Sequence, residues 1–455
     1  MEFHSLFFLF RWLPIVLLCY RFFFRSHFRS LFLLAVSLLF YAWGEPLYVF
    51  LLLTLTFMHW QLGKEIQKTG KIAWMWLGIA LDLFLLVYFK YYPGMLDFIA
   101  SHLTLSYDVL PQPLGISYYM FTLIAYLADV GRRQCDAQQD FVSFALYICF
   151  FPRLLMGPLM SFQEWKKNFD EGKKDPDLFH RGACCFMLGL AQKVILSAWM
   201  SALFQTMGDF PLSFVSAWGK SAAFALQLYF DFNGYSLMAF GLAAMLDVRI
   251  PFNFRYPYLS KSVSEFWRRW HITLGLWFRN YVYIPLGGSR KGNVRTAFNL
   301  LAVWLLTAFW HGSTVLFLLW GLYHYCWILA ERFLLRQRKR LPNAVQIILT
   351  LCIVVVGWVF FYSKDLPSAF ATLRAMADIT TVDIPVLSWI FKNYGTQFII
   401  AAVACTPLVS KITEKMSEKN SGFAVLQALC YVLLFTLSLA FLIGGSYQPF
   451  LYSAF

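Results

Sequence analysis

The chain has 455 residues, of which 60% are hydrophobic, 20% aromatic and only 14% charged. Soluble domains carry about 45–50% apolar and about 25% charged residues, so a water-soluble globular fold is excluded. The formal net charge of +14 comes from Lys and Arg in short loops between apolar stretches, the positive-inside pattern that orients a chain in a bilayer and gives no reason to expect nucleic acid as a partner.

The first apolar stretch, "SLFFLFRWLPIVLLCY", is interrupted by Arg11 and lacks a small-residue cleavage site, so it is expected to remain as a span. "YRFFFRSHFR" after it reads as cytoplasmic, which places the N-terminus outside. "RSLFLLAVSLLFYAWGEPLYVFLLLTLTFMHW" supplies further spans, followed by the inside loops "GKEIQKTGK" and, after "PLGISYYMFTLIAYLADV", "GRRQ". The next segment, "FVSFALYICFFPRLLMGPLMSF", has basic flanks on both sides and contains Pro152, Arg153, Gly157 and Pro158. Proline disrupts a helix, and broken backbone is tolerated at membrane depth where protein surrounds it, so a re-entrant segment is expected here.

"YFDFNGYSLMAFG" ends an apolar run with Asp231 and Asn233. These residues suit a cavity wall, although a helix cap is the favoured reading of Asp231. "SEFWRRWHITLGLWFRNYVYIPLGG" carries too many charges to span, and Glu265, Arg268, Arg269 and Arg279 flank His271. Guanidinium groups suit the phosphates of a nucleotide-bearing donor, while for any single Arg interfacial anchoring is the commoner role. "GGSRKGN" has two glycines at P-loop spacing, but Asn293 stands where the lysine belongs. Neither a GxSxG elbow nor an HExxH site occurs.

"LLTAFWHGST" brings an apolar helix to Trp310, His311 and Gly312, and the glycine invites the helix to stop. Arg290, Lys291 and Arg295 precede this motif, and Arg332, Arg336, Arg338, Lys339 and Arg340 follow it. Counting from Arg295 at 1.5 Å per residue, His311 lies roughly 24 Å deep. A helical hairpin with His311 at its tip and two full spans joined by a tiny outer loop both satisfy the charges. His324 follows in "LYHY". A histidine at membrane depth is a functional candidate by default, because it is costly to bury, with a helix-packing ring as the bland alternative. A neutral imidazole there can act as general base on a hydroxyl. His4, His27, His59, His102 and His180 are expected at termini or loops, without a role. Nine cysteines form no CxxC pair and are read as small buried hydrophobes rather than disulfides or metal ligands. No soluble domain and no repeat interrupts residues 1–455, so a single membrane domain is expected. A transporter or flippase, the rival class, typically shows internal repeats with paired broken helices.

The motifs together resemble the membrane-bound O-acyltransferases, in the bacterial branch of alginate O-acetylation and teichoic-acid D-alanyl transfer. In order they are "SLLFYAWGEPLYVFLLL", "VYFKYY", "LGISYYMFTLIAYLADVGR", "FFPRLLMGPL", "YFDFNGYSLMAFG", "PFNFRYPYLSKSVSEFWRRWHITLGLWFRNYVYIPLGGSR", "FWHGSTVLFLLWGLYH" and the terminal "PFLYSAF". The likeness covers nearly the whole chain and is most specific over 226–326. It implies an all-α polytopic protein of the bacterial cytoplasmic (inner) membrane, with about 11–13 membrane helices, re-entrant segments included, around a central tunnel. It implies that His311 is catalytic and His271 the second site histidine. Asp231, Asn233, Trp310, Arg268, Arg269 and His324 are candidates for substrate binding, and no metal or tightly bound cofactor is expected. The implied reaction moves an acyl group, acetyl first among them, from a cytoplasmic thioester such as acetyl-CoA toward a hydroxyl of a secreted or cell-surface polysaccharide. An exported partner is expected to complete the transfer. D-alanyl transfer from a carrier protein to teichoic acid is the alternative. The chain departs from the alginate branch at Leu237, where a polar or acidic residue is common, and in "AQKVILSAWM", which lacks an acidic residue after Lys193.

Overall fold

A backbone lying in hydrocarbon satisfies its own hydrogen bonds only as a helix or a closed barrel. The computed structural model describes residues 2–23, 28–103, 110–171, 175–335, 341–417 and 421–445, and among these it contains helices and no strand. The protein is an all-α, polytopic membrane protein. Among the described residues four helices are long and apolar enough to cross a membrane, namely Ala73–Tyr92, Leu178–Asp209, Asn343–Tyr362 and Val425–Ile443. His27, the basic run 336–340 and the terminal "PFLYSAF" lie outside the described residues.

The chain divides into two compact units. Unit 1 comprises residues 1–186 and 236–252. Its helices are α1 (Leu13–Phe23), α2 (Arg29–Gly44), α3 (Tyr48–Thr69), α4 (Ala73–Leu103), α5 (Ile116–Gly131), α6 (Phe141–Cys149), α7 (Phe151–Leu154) and α8 (Phe162–Glu171). It also holds the start of α9 (Leu178–Ala191). α5 is buried from Ile116 to Val130, as expected of a helix apolar on every face.

The helix breaks where Pro152 requires it. α6 starts on Asp140, whose carboxylate accepts the Ser143 N–H at 2.8 Å, and stops at Phe150 (φ −53°, ψ 108°). After the single turn of α7 the backbone runs non-helical to Ser161. Protein groups meet it there, with Tyr147 Oη donating to the Met160 carbonyl (2.9 Å) and Arg153 Nη2 to the Tyr147 carbonyl (2.8 Å). His59 departs from expectation. It is neither terminal nor in a loop but fully buried in the middle of α3.

Unit 2 comprises residues 187–235 and 253–455. It holds the end of α9, then α10 (Ser197–Asp209), most of α11 (Phe214–Met245), the short α12 (Val263–Arg269) and α13 (Ile272–Phe278), and the pair α14 (Gly292–His311) and α15 (Val315–Phe333). α16 (Asn343–Tyr362), α17 (Leu366–Ala377), α18 (Ile384–Ala404), α19 (Leu408–Ser417) and α20 (Ser421–Ile443) complete it. Between α9 and α10 the ladder loosens into a π-turn, Gln192–Leu196, and a second π-turn, Arg279–Tyr283, continues α13. Such turns insert one residue into a helix and recur at functional sites. Glycine lets α9 and α11 approach closely: a Cβ on Gly234 would stand 2.7 Å from the Gly189 carbonyl oxygen. Small residues at a crossing are how helices gain packing contact in lipid, where apolar burial drives little.

Candidate active site

The site lies within unit 2 and is built by two breaks in helix. The first separates α12 from α13. α12 begins on Ser262, whose hydroxyl accepts the Glu265 N–H. Its next two N–H groups, of Val263 and Ser264, donate to the Glu331 carboxylate of α15 at 2.6 and 2.9 Å, and the Ser264 hydroxyl adds a third bond at 2.9 Å. A carboxylate at a helix N-terminus satisfies orphan donors and complements the helix dipole. α12 ends at His271, which adopts φ 46° and ψ 53°. That left-handed conformation is uncommon for a residue with a Cβ and persists only where the surroundings over-determine it. Asn253 does so here, its carbonyl accepting from Ile272 N (2.8 Å) and its side-chain oxygen from Thr273 Oγ1 (2.6 Å). The result is a buried imidazole set edge-on to Phe232, with ring centroids 4.8 Å apart.

The second break follows His311, the last residue of α14 and 6% exposed. Gly312 is extended (φ 178°, ψ 172°), so the turn itself does not demand glycine. Space does, since a Cβ on Gly312 would lie 2.3 Å from the Phe317 ring. Phe317 in turn stacks beside His311 at 6.1 Å and 19°. Trp310 (4.6 Å), Trp320 (5.0 Å) and Phe361 (5.2 Å) enclose the same imidazole, the last two edge-on.

His271 and His311 line one cavity of about 570 Å³, together with Arg268, Arg279 and the indoles of Trp267, Trp270, Trp304, Trp320 and Trp358. A pocket of this size with an aromatic wall and few polar groups is typical of a small-molecule site. The remaining sequence candidates fall elsewhere. Trp310 backs both histidines from outside the lining, its ring 6.3 Å from that of His271. Arg269 pairs with Glu265 at 2.5 Å. His324 sits behind the lining, fully buried among Trp267, Trp304 and Trp320, with neither ring nitrogen hydrogen-bonded. Asp231 caps no helix, which corrects the favoured sequence reading. It lies well inside α11, where its carboxylate pairs with Lys193 Nζ at 2.6 Å, both side chains almost wholly buried. The π-turn at Gln192 makes that meeting possible, and Gln192 Oε1 accepts from Asn233 Nδ2 at 2.7 Å beside it. Sequence reading missed the tryptophan wall and Glu331. The signal for the wall was the count of 17 tryptophans, several of them in the segments that carry His271 and His311.

The model of the membrane-bound O-acyltransferase family matches residues 132–365, and this chain belongs to that family: it is a membrane-bound O-acyltransferase. It is 34% identical to the Probable alginate O-acetylase AlgI of Pseudomonas putida, over 100% of both chains. It is 31% identical to the peptidoglycan O-acetyltransferase of Helicobacter pylori, over 85% of this chain and 81% of that one. Identity to the teichoic acid D-alanyltransferase of Bacillus subtilis is 26%, over 55% of this chain and 69% of the relative.

Proposed function

We propose that this O-acyltransferase moves an acetyl group from a cytoplasmic thioester, acetyl-CoA, toward a hydroxyl of a secreted or cell-surface polysaccharide. The observation that carries this reading is the shared cavity, in which the two histidines meet two arginines and an aromatic wall. In the reaction the thioester carbonyl loses its sulfur and gains the acceptor oxygen. His311 takes the hydroxyl proton as general base. His271 positions the reacting groups, and its strained backbone fits that task. Arg268 and Arg279 hold the donor's phosphates by charge-assisted hydrogen bonds at the cavity mouth. Full-length likeness to an O-acetylase and the shorter, weaker likeness to a D-alanyltransferase favour acetyl over D-alanyl. The protein is placed in the bacterial inner membrane, N-terminus outward, with an exported partner that receives the acetyl group and completes transfer to polymer.

The test is to incubate purified protein with acetyl-CoA labelled in the acetyl group and measure free thiol. Thiol release together with label in O-esters supports the reading. A protein that binds but never cleaves the thioester is a carrier of acyl groups and not their transferase. Release from a D-alanyl carrier thioester alone selects the other acyl group.

A further inference from the structure

Unit 1 contains a buried ionisable pair for which acyl transfer at the cavity has no use. His59 of α3 and Asp82 of α4 are both fully buried, and His59 Nε2 lies 2.9 Å from Asp82 Oδ2. Asp82 falls within the span Ala73–Tyr92. The other ring nitrogen, Nδ1, lies 2.8 Å from the Leu55 carbonyl oxygen. A carbonyl only accepts, so Nδ1 carries a hydrogen. Nε2 therefore meets the carboxylate across one further proton, held either as an imidazolium or as a carboxylic acid. In both cases the pair binds one proton more than a neutral imidazole beside a carboxylate.

The surroundings leave that proton few other destinations. Asp82 Oδ1 is buried with no hydrogen-bond partner. Gly78, one turn before Asp82, keeps the space over the ring open, since a Cβ there would come within 3.6 Å of His59 Nε2. The titratable groups facing this part of α3 are Tyr119 of α5, within electrostatic reach of Asp82, Tyr126 of α5, whose hydroxyl covers Gly63, and Cys149 of α6, 4.0 Å from Thr56. An ionisable residue at membrane depth is costly to keep, and paired His and carboxylate groups are the usual bearers of protons there.

The proposed reaction gives such a proton a task. The ester C–O bond forms as the thioester C–S bond breaks, the hydroxyl loses a proton, and the departing thiolate gains one. With the donor cytoplasmic and the acceptor outward, each acyl group moving out requires one proton moving in. We infer that the His59–Asp82 pair is a proton-binding site that takes up and releases this proton once per transfer. The inference rests on the proposed sidedness of donor and acceptor.

The test uses full-length Asp82→Asn, whose amide donates to Nε2 and so preserves the hydrogen bond and the volume while removing the acid. His59→Leu combined with Asp82→Leu removes both polar groups, a replacement that buried pairs commonly tolerate. In cells, both variants should lower the O-acetyl content of the surface polysaccharide at least about tenfold. Purified in detergent with acetyl-CoA and water as acceptor, both should release thiol within about twofold of the unaltered protein, because donor and acceptor then share one solvent. Undiminished O-acetyl content in either variant overturns the inference and makes the pair a helix–helix contact. Loss of thiol release in a variant also overturns it, because the pair then acts through the fold of the donor site. Failure of the unaltered protein to release thiol is a different result, and refutes the thioester reading itself.

Discussion

Unit 2 buries polar side chains in two ways. In the first, Lys193 and Asp231 neutralise each other at 2.6 Å between two helices, beside a second polar contact from Gln192 to Asn233. In the second, His271 and His311 are enclosed by aromatic rings and open onto a cavity. The ion pair is closed chemistry: either charge becomes available only by stripping the other. Ring enclosure fixes an imidazole by shape and by edge-on contact with the aromatic quadrupole, and no formal counter-charge is spent on it. A helix bundle in lipid can thus hold one polar group inert and keep another reactive a short stretch of chain away.

Replacing members of each class should separate them. The largest effect is expected at the cavity. His311→Ala should insert and fold, yet lose acyl transfer by a factor of about 10² to 10⁴, the usual worth of a general base. Near-normal thiol release by that variant makes His311 a packing ring and removes the contrast. Next comes the ion pair. Lys193→Met leaves the Asp231 carboxylate uncompensated and should cost about 3–5 kcal/mol, read as a lowered midpoint of thermal unfolding in detergent. Adding Asp231→Leu should recover most of that stability; a double variant as unstable as the single one shows that the charges were not the issue.

A smaller change is expected at Gly312→Ala. The new Cβ meets the Phe317 ring at 2.3 Å, and overpacking of this kind typically costs about 1–3 kcal/mol. Because Phe317 stacks on His311, thiol release should fall along with stability. A fall in stability alone means that the Phe317 contact does not set the imidazole. The smallest effect is expected at His324→Leu, which removes two buried nitrogens that lack partners. Stability should shift by less than about 1.5 kcal/mol, and activity should stay within about twofold. A large loss of activity moves His324 from the wall into the reacting set.

Much of this was legible in the sequence because it rests on local rules. Composition demanded helices, Pro152 and the doubly basic flanks located the break after α6, and the WHG motif announced the end of α14. What escaped depends on contacts between segments far apart in the chain. Glu331 looked like one more charge before a basic loop, and its bonds to the first turn of α12 span 67 residues. Asp231 read as a cap because an acid at the end of an apolar run usually is one, and the lysine that retains it in mid-helix lies 38 residues earlier. His59 was taken for a loop residue because its neighbours "HWQLGKEIQK" are polar, although α3 carries it a full helix away from that loop. The need for Gly312 was visible, but its cause was misplaced. The backbone does not require it, and the Phe317 ring does.

The π-turn at Gln192–Leu196 makes the span from Leu178 to Asp209 sensitive to length as well as to composition. One residue of an α-helix corresponds to about 100° of rotation. Deleting a single residue between 192 and 196 would restore regular winding and turn everything after it by about that angle. Met200 and Leu203, buried on one side of α10, would then swing away from the neighbours they now touch. Insertions and deletions here act as a dial on the facing of α10, so variation in this span should be confined to exchanges that keep its length.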